Sequence, residues 1–302
     1  MDLWTSPTPN GWKVTILIEE LREAGHALSD LRIHTVNLAQ GEHKTEAFTD
    51  RNPNQKIPVL QDGSRSVIES CAILQYLAER FPSPLLPAGE KRWDVLPWVY
   101  WQAANVGPAF GNKLSYTRYM DDLPDSAKAH PLERFGTESL RLTSVIDYQL
   151  KTHPFMCGHD FTIADIALFP WIRGYKWSKV DITGWPRVLD WLGRVRERPG
   201  VERGLAHGVP KSEIDRWSRE RKKAYAKGGQ IIAATPKKKN DLYEKGVAMQ
   251  PGGFRIKLEG VPGPILMMFF QAHQTLRQHW TLSLRTLEII RLHSAFQHDC
   301  HT

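Results

Sequence analysis

The chain has little thiol to work with. Its 302 residues include three cysteines, Cys71, Cys157 and Cys300, and no two of them stand at Cys-x-x-Cys or metal-ligand spacing. A disulfide framework, a dithiol redox pair and a cysteine-bound metal are therefore excluded as organising features, and no metal is expected. Long apolar runs are missing as well, and the opening Met-Asp-Leu-Trp-Thr-Ser-Pro has neither the basic nor the apolar segment of a secretory leader. The expectation is a cytoplasmic protein with no transmembrane span. Most of the chain also lacks an excess of positive charge. The formal charge of +7 divides into 24 basic and 25 acidic residues over 1–207 and 16 basic and 8 acidic over 208–302. Basic character thus belongs to an appendage, and that appendage lacks the interleaved aromatics of a nucleic-acid module, so no nucleic acid is expected as a partner.

What is present reads as two successive patterns. Residues 1–5 form a short strand, and Ser6-Pro7-Thr8-Pro9-Asn10-Gly11 punctuates the chain after it. Val14, Leu17, Ile18 and Leu21 give residues 13–24 a helical period, with Gly25 as its stop. A β-branched strand over 31–37 and a short helix over 45–51 follow. Two short strands, 57–60 and 66–68, then flank the tight-turn signal Asp62-Gly63 and lead into a helix through residue 81. The order βαβ, α, ββα is that of a thioredoxin-like domain, here residues 1–82. Phe81-Pro82-Ser83-Pro84-Leu85-Leu86-Pro87 is a poor helix former and marks a boundary. Residues 90–207 then read as all-helical. The expected helices run over 90–119 with a break at Gly107-Pro108, over 132–150, from Thr162 onward, and over 185–198 up to Pro199-Gly200. Thr162-Ile163-Ala164-Asp165 has the spacing of a capping box, a folding role with no direct chemistry.

The chemically suggestive stretch is residues 54–70, Asn-Gln-Lys-Ile-Pro-Val-Leu-Gln-Asp-Gly-Ser-Arg-Ser-Val-Ile-Glu-Ser. It delivers a carboxylate, Glu69, and a hydroxyl, Ser70, to a helix N-terminus, whose unpaired N–H groups and dipole favour an anionic ligand. Glu69 can meet an ammonium on the same ligand. The Ile57-Pro58 step is a place where a cis bond is cheap, which turns the Ile57 backbone toward a peptide-like ligand. On residues alone, an ordinary hairpin followed by a Glu-Ser helix start remains the alternative. Cys71, one step into that helix, reads as a packed thiol.

Taken together, Ile57-Pro58, Glu69-Ser70 and Thr162-Ile163-Ala164-Asp165 resemble the cytosolic glutathione transferase family in order and spacing, over about residues 1–207. Thr8-Pro9-Asn10-Gly11, Val36-Asn37-Leu38, Gly41-Glu42-His43 and Asn52-Pro53-Asn54-Gln55-Lys56 look like the Nu class and the fungal transferases related to the yeast nitrogen-catabolite regulator. The resemblance implies a thioredoxin-like glutathione-binding domain, an all-α domain and a homodimer, with residues 208–302 as a basic extension. It also implies glutathione as co-substrate and detoxifying transferase or disulfide-bond oxidoreductase activity toward a small electrophile or disulfide. Since the first loop has no cysteine, the sulfur arrives with the ligand. Thr8 and Asn10 then stabilise its thiolate, beside their plainer reading as a proline-flanked turn. Carried over, Glu69 and Ser70 hold the γ-glutamyl group, Ile57 pairs with the cysteinyl unit, and His43 and Lys56 approach the glycyl carboxylate. Arg134 reaches the ligand of a neighbouring subunit, or is a solvated arginine on a helix face. His43 departs from the glutamine of some relatives.

Trp101, Phe110, Tyr116 and Tyr119 are the expected aromatic wall for a second substrate, with core packing as the alternative for most of them. A non-catalytic regulatory binding protein on the same fold is the competing function. In the extension, a charged helix is expected over 211–227, a solvated lysine-rich linker over 236–240 and an amphipathic helix over 265–292.

Overall fold

The computed structural model describes residues 1–120 and 122–208, so the three expectations for residues 211–292 lie outside the described residues. Thr8 starts the first helix, α1 (Pro9–Glu23), by accepting the Gly11 N–H on Oγ1 at 3.2 Å, with Pro9 at the first helical position. A Thr cap and a leading proline are both favourable there, and α1 therefore begins inside the punctuated segment, ahead of its apolar period. It ends where Gly25 adopts φ +91°, a left-handed conformation that glycine takes without a Cβ clash.

Around α1 lie β1 (Asp2–Thr5), β2 (Arg32–Thr35), β3 (Val59–Asp62) and β4 (Arg65–Ile68), in the sheet order β2-β1-β3-β4. β1 runs parallel to β2 and antiparallel to β3, and β3 pairs antiparallel with β4. Register places Leu3 beside Ile33 and Leu60. Leu3 and Leu60 are fully buried in the same core as Val14 and Leu17 of α1 and Ile73 and Leu74 of α3 (Ser70–Arg80). Trp4, Val59 and Ile68 belong instead to the smaller cluster of Val36, Leu38 and Phe48, the last from α2 (Glu46–Thr49). The two clusters follow the alternation of strand side chains between faces. This is the expected thioredoxin-like domain.

The helical domain follows a segment with neither helix nor strand, in which Leu85 and Leu86 are buried. The expected break at Gly107-Pro108 is absent. α4 (Arg92–Trp101) runs through a π-helical turn, Gln102–Val106, directly into α5 (Gly107–Arg118). Gly107 donates its N–H to Gln102 O, and the wider turn passes Pro108, which has no N–H of its own to give, without ending the helix. α6 (Asp125–Gln149) begins earlier than expected and carries Pro131 inside it.

α7 (Ile163–Ile172) has the expected capping box, tied more tightly than its spacing alone required. Buried Asp165 accepts from Thr162 N and Met156 N, both at 3.0 Å, and from Trp191 Nε1 at 2.9 Å. Burial holds its carboxyl above the usual range, against the pull of those donors. α7 is also joined to the preceding segment, because Ile163 N donates to Leu85 O at 2.9 Å.

After α8 (Tyr175–Ser178) comes α9 (Pro186–Arg196), which ends before Pro199-Gly200 as expected, whereas a further helix beyond that stop was not expected. Pro199 opens α10 (Pro199–Ala206), which lies against α1. Arg198 Nη2 meets buried Glu20 at 2.6 Å, Arg203 Nε meets buried Glu19 at 3.1 Å, and the Thr15 hydroxyl donates to Gly204 O at 2.7 Å. Among the described residues, no helix is long and apolar enough to cross a membrane.

Candidate functional site

The starts of α1 and α3 stand side by side. Lys13, one turn along α1 from Asn10, reaches Ser70 Oγ with its ammonium at 3.2 Å. Ser70 is the first residue of α3 and is 7% exposed. Glu69, its N-cap, is exposed and held at φ +68°, a conformation that carries strain for a residue with a side chain. Its side chain makes no capping bond. The first-turn N–H groups of α3 therefore have a carboxylate and a hydroxyl beside them.

Thr8 Oγ1 accepts from Gly11 N, which leaves its own hydroxyl hydrogen available. Asn10 Oδ1 accepts from Trp171 Nε1 at 3.0 Å. An indole N–H can only donate, so it fixes the oxygen end of the carboxamide toward α7 and leaves the NH₂ group to face elsewhere. That group has no partner among the described residues. Trp171 is a residue the sequence reading missed, and nothing in its apolar surroundings marks it.

Ile57, joined to Pro58 by a cis bond, is half-buried against the Val36, Leu38, Phe48 and Val59 cluster. It lies outside β3, and its N–H and C=O make no hydrogen bond with a described residue. Its main chain is free for pairing. His43, in the short 3₁₀ turn Glu42–Lys44, is 3% exposed with no hydrogen-bond partner on either ring nitrogen. Burial, helped by the nearby Lys44 charge, pushes its pKa below the ordinary 6.5, so it is a neutral imidazole at neutral pH. Lys56 is exposed, and its carbonyl accepts from Asn52 Nδ2 at 2.7 Å.

Arg134 is not brought to this group within the chain. It is exposed on α6 and lines a separate cleft of about 630 Å³ with Asn105, Pro108, His130 and Phe135. The aromatic wall needs correction as well. Phe110 is 1% and Tyr119 3% exposed, and the Tyr119 hydroxyl accepts from Trp177 Nε1 at 3.0 Å, so both are core residues. Trp101 and Tyr116 remain half-buried, Trp101 edge-on to Trp98 and Tyr116 stacked on Phe135.

Lys13 was also missed, although a signal existed: it stands four residues before Leu17, on the apolar stripe of α1. Cys71 is the packed thiol expected, 6% exposed, with Sγ 3.4 Å from Gln102 Oε1 and 3.7 Å from Lys13 Nζ. Cys157 is pushed up to about 12 by burial. Among the described residues, no group of three His, Cys, Asp or Glu side chains is placed to hold a metal ion.

Residues 1–79 match the description "Glutathione S-transferase, N-terminal domain", and residues 121–199 match "Glutathione S-transferase, C-terminal domain". The "Disulfide-bond oxidoreductase YfcG" of Escherichia coli (strain K12) is 32% identical over 212 residues, covering 68% of this chain and 94% of the relative. A glutathione transferase family member from Pseudomonas fluorescens, solved with two glutathione bound, superposes with a TM-score of 0.62 at 33% identity, over 68% of this chain and 91% of that one. A glutathione transferase from Pseudomonas putida, solved with one glutathione disulfide bound per subunit, superposes with a TM-score of 0.59 at 32% identity, over 68% and 90%.

Proposed function

From the premise that this chain belongs to the glutathione S-transferase family, we propose that it is a glutathione-dependent enzyme of the Nu-class-like branch whose reactive sulfur is that of bound glutathione. The observation that carries this reading is the contact between Lys13 of α1 and Ser70 of α3, which sets the Thr8/Asn10 corner beside the Glu69/Ser70 helix start. The α-amino group of the γ-glutamyl unit pairs with Glu69, and its carboxylate meets Ser70 and the first-turn N–H groups of α3. The free main chain of Ile57 pairs with the cysteinyl unit as one strand pairs with another. The thiolate then lies at the start of α1, where the Thr8 hydroxyl and the Asn10 NH₂ donate to it and the helix dipole favours its charge. His43 and Lys56 serve the glycyl carboxylate.

Disulfide exchange is the favoured reaction, supported by the name of the E. coli relative and by the glutathione content of the two Pseudomonas structures. The glutathione thiolate attacks one sulfur of a substrate disulfide, the S–S bond breaks, and the departing thiolate takes up a proton. A second glutathione attacks the resulting mixed disulfide and leaves as glutathione disulfide, with the second substrate thiol released. Two glutathione molecules are oxidised and one disulfide is reduced. The same thiolate can attack a carbon electrophile, which is the transferase reaction and a route to detoxification. The protein acts as a cytoplasmic homodimer in which Arg134 reaches the site of the partner subunit.

The test is turnover by the purified full chain with glutathione plus hydroxyethyl disulfide, and separately with an aryl halide. Glutathione disulfide should accumulate with the first substrate. Tight glutathione binding without turnover of either substrate would overturn the enzymatic reading in favour of a regulatory binding protein on this fold.

A further inference from the structure

Lys13 is 2% exposed, yet it carries an ammonium group. That group donates to Ser70 Oγ at 3.2 Å, to Cys71 Sγ at 3.7 Å and to Gln102 Oε1. Three N–H bonds thus have three acceptors, and none of the three is a carboxylate. Among the described residues, the titratable groups facing it, Cys71 and Glu69, both come from the start of α3, and Glu69 lies in solvent. The π-helical turn contributes only the neutral, fully buried Gln102. A buried ammonium without a counter-ion is costly, because no charge offsets its lost hydration. Burial accordingly pushes its pKa down from the ordinary 10.5.

The location of this cost is informative. Ser70 Oγ accepts the Lys13 proton, so the one hydrogen of the Ser70 hydroxyl is turned away from Lys13. The unpaired N–H groups of the first turn of α3 lie beside that hydroxyl. A cation, an oriented hydroxyl and a helix N-terminus therefore converge on one point, and an anion placed there supplies the missing counter-charge. We infer that Lys13 is a specificity-determining residue, which orients Ser70 as a donor and makes the site select ligands carrying the γ-glutamyl α-carboxylate. This inference rests on the proposed placement of the γ-glutamyl group at Glu69 and Ser70. Lys13 acts through Ser70 and through its field, so it is a positioning residue.

The experiment is calorimetric titration of the full chain with glutathione and with 4-aminobutyryl-cysteinyl-glycine, which keeps the amine and lacks that carboxylate. Wild-type protein should prefer glutathione. Lys13→Met, which keeps the length of the side chain, should weaken glutathione binding by about tenfold and leave the analogue's affinity within about twofold. Its thermal midpoint should hold or rise, since a buried unpaired charge is gone. Ser70→Ala should show the same selective loss, and it decides the matter if Lys13→Met does not fold. Equal weakening of both ligands, or of neither, overturns the inference while leaving the proposed function standing. A wild-type chain that binds no glutathione overturns the functional reading itself, and this inference with it.

Discussion

Asn10 has a carboxamide whose two ends differ, and Trp171 takes its oxygen end, which under the proposed function leaves the NH₂ for the sulfur. Trp171→Phe keeps the ring and removes the N–H, so the carboxamide is free to turn its oxygen toward the sulfur. Turnover should fall by about tenfold, and the acid limb of the pH–rate profile should move to higher pH because the thiolate is less well held. Glutathione affinity should change little, and an unmoved pH profile would argue against the arrangement. Asn10→Ala should cost more, about tenfold to a hundredfold in kcat. Cys157, in contrast, is held as a thiol with a pKa of about 12. Iodoacetamide at pH 7 followed by mass spectrometry should find it unmodified, and Cys157→Ser should turn over glutathione and disulfide at the wild-type rate.

Among the elements, α10 is held to α1 by contacts that leave no room for change. A Cβ on Gly204 would lie 2.4 Å from Ile16 Cα, a backbone atom that cannot rotate away. Gly204→Ala should therefore destabilise the protein by about 2 kcal/mol or more, seen as a Tm lower by about 5–10 °C. Glu19 is the charged side of the same contact. Burial alone would raise its pKa, but His207, Arg203 and Arg22 outweigh this and bring it below the ordinary 4.5. A carboxylate depressed in the folded state stabilises at neutral pH, and that contribution is lost as pH falls below 4.5 through the folded value. Glu19→Gln should cost about 1–2 kcal/mol at pH 7, since the cationic partners are partly in solvent. Urea titrations should show the gap closing in acid.

The elements legible in the sequence were those with local signals: the apolar period of α1, the tight turn between β3 and β4, and the capping box of α7. α10 was not legible, because Pro199-Gly200 reads equally as a stop or as a first turn, and only distant Glu19 and Glu20 decide between them. The π-helical turn was hidden for a similar reason: Gly107-Pro108 is a local breaker, and what allows the helix through is a rearrangement of hydrogen bonds one turn earlier. In the site, Glu69 and Ser70 announced themselves by position. The partners that orient the site, Trp171 and Gln102, lie far along the chain and carry no pattern of their own.

At the scale of the whole molecule, Arg134 separates a one-chain site from a shared one. If each site takes Arg134 from the partner, mixing Asn10→Ala subunits with Arg134→Ala subunits should raise activity above that of either variant alone. Half the mixed dimers are hybrids, and each hybrid keeps one intact site, so recovery should approach about a quarter of the wild-type rate. No recovery after subunit exchange would place Arg134 outside the reaction. A last consequence follows from α1, whose residues from Lys13 to Leu21 are buried without interruption and which lies against α3, α7 and α10. Buried, hydrogen-bonded amides open rarely, so deuterium should enter there later than at the exposed turn around Gly63. The Thr8/Asn10 corner is thus tied to a stretch expected to exchange late, while Glu69 and Lys56 lie exposed at its periphery.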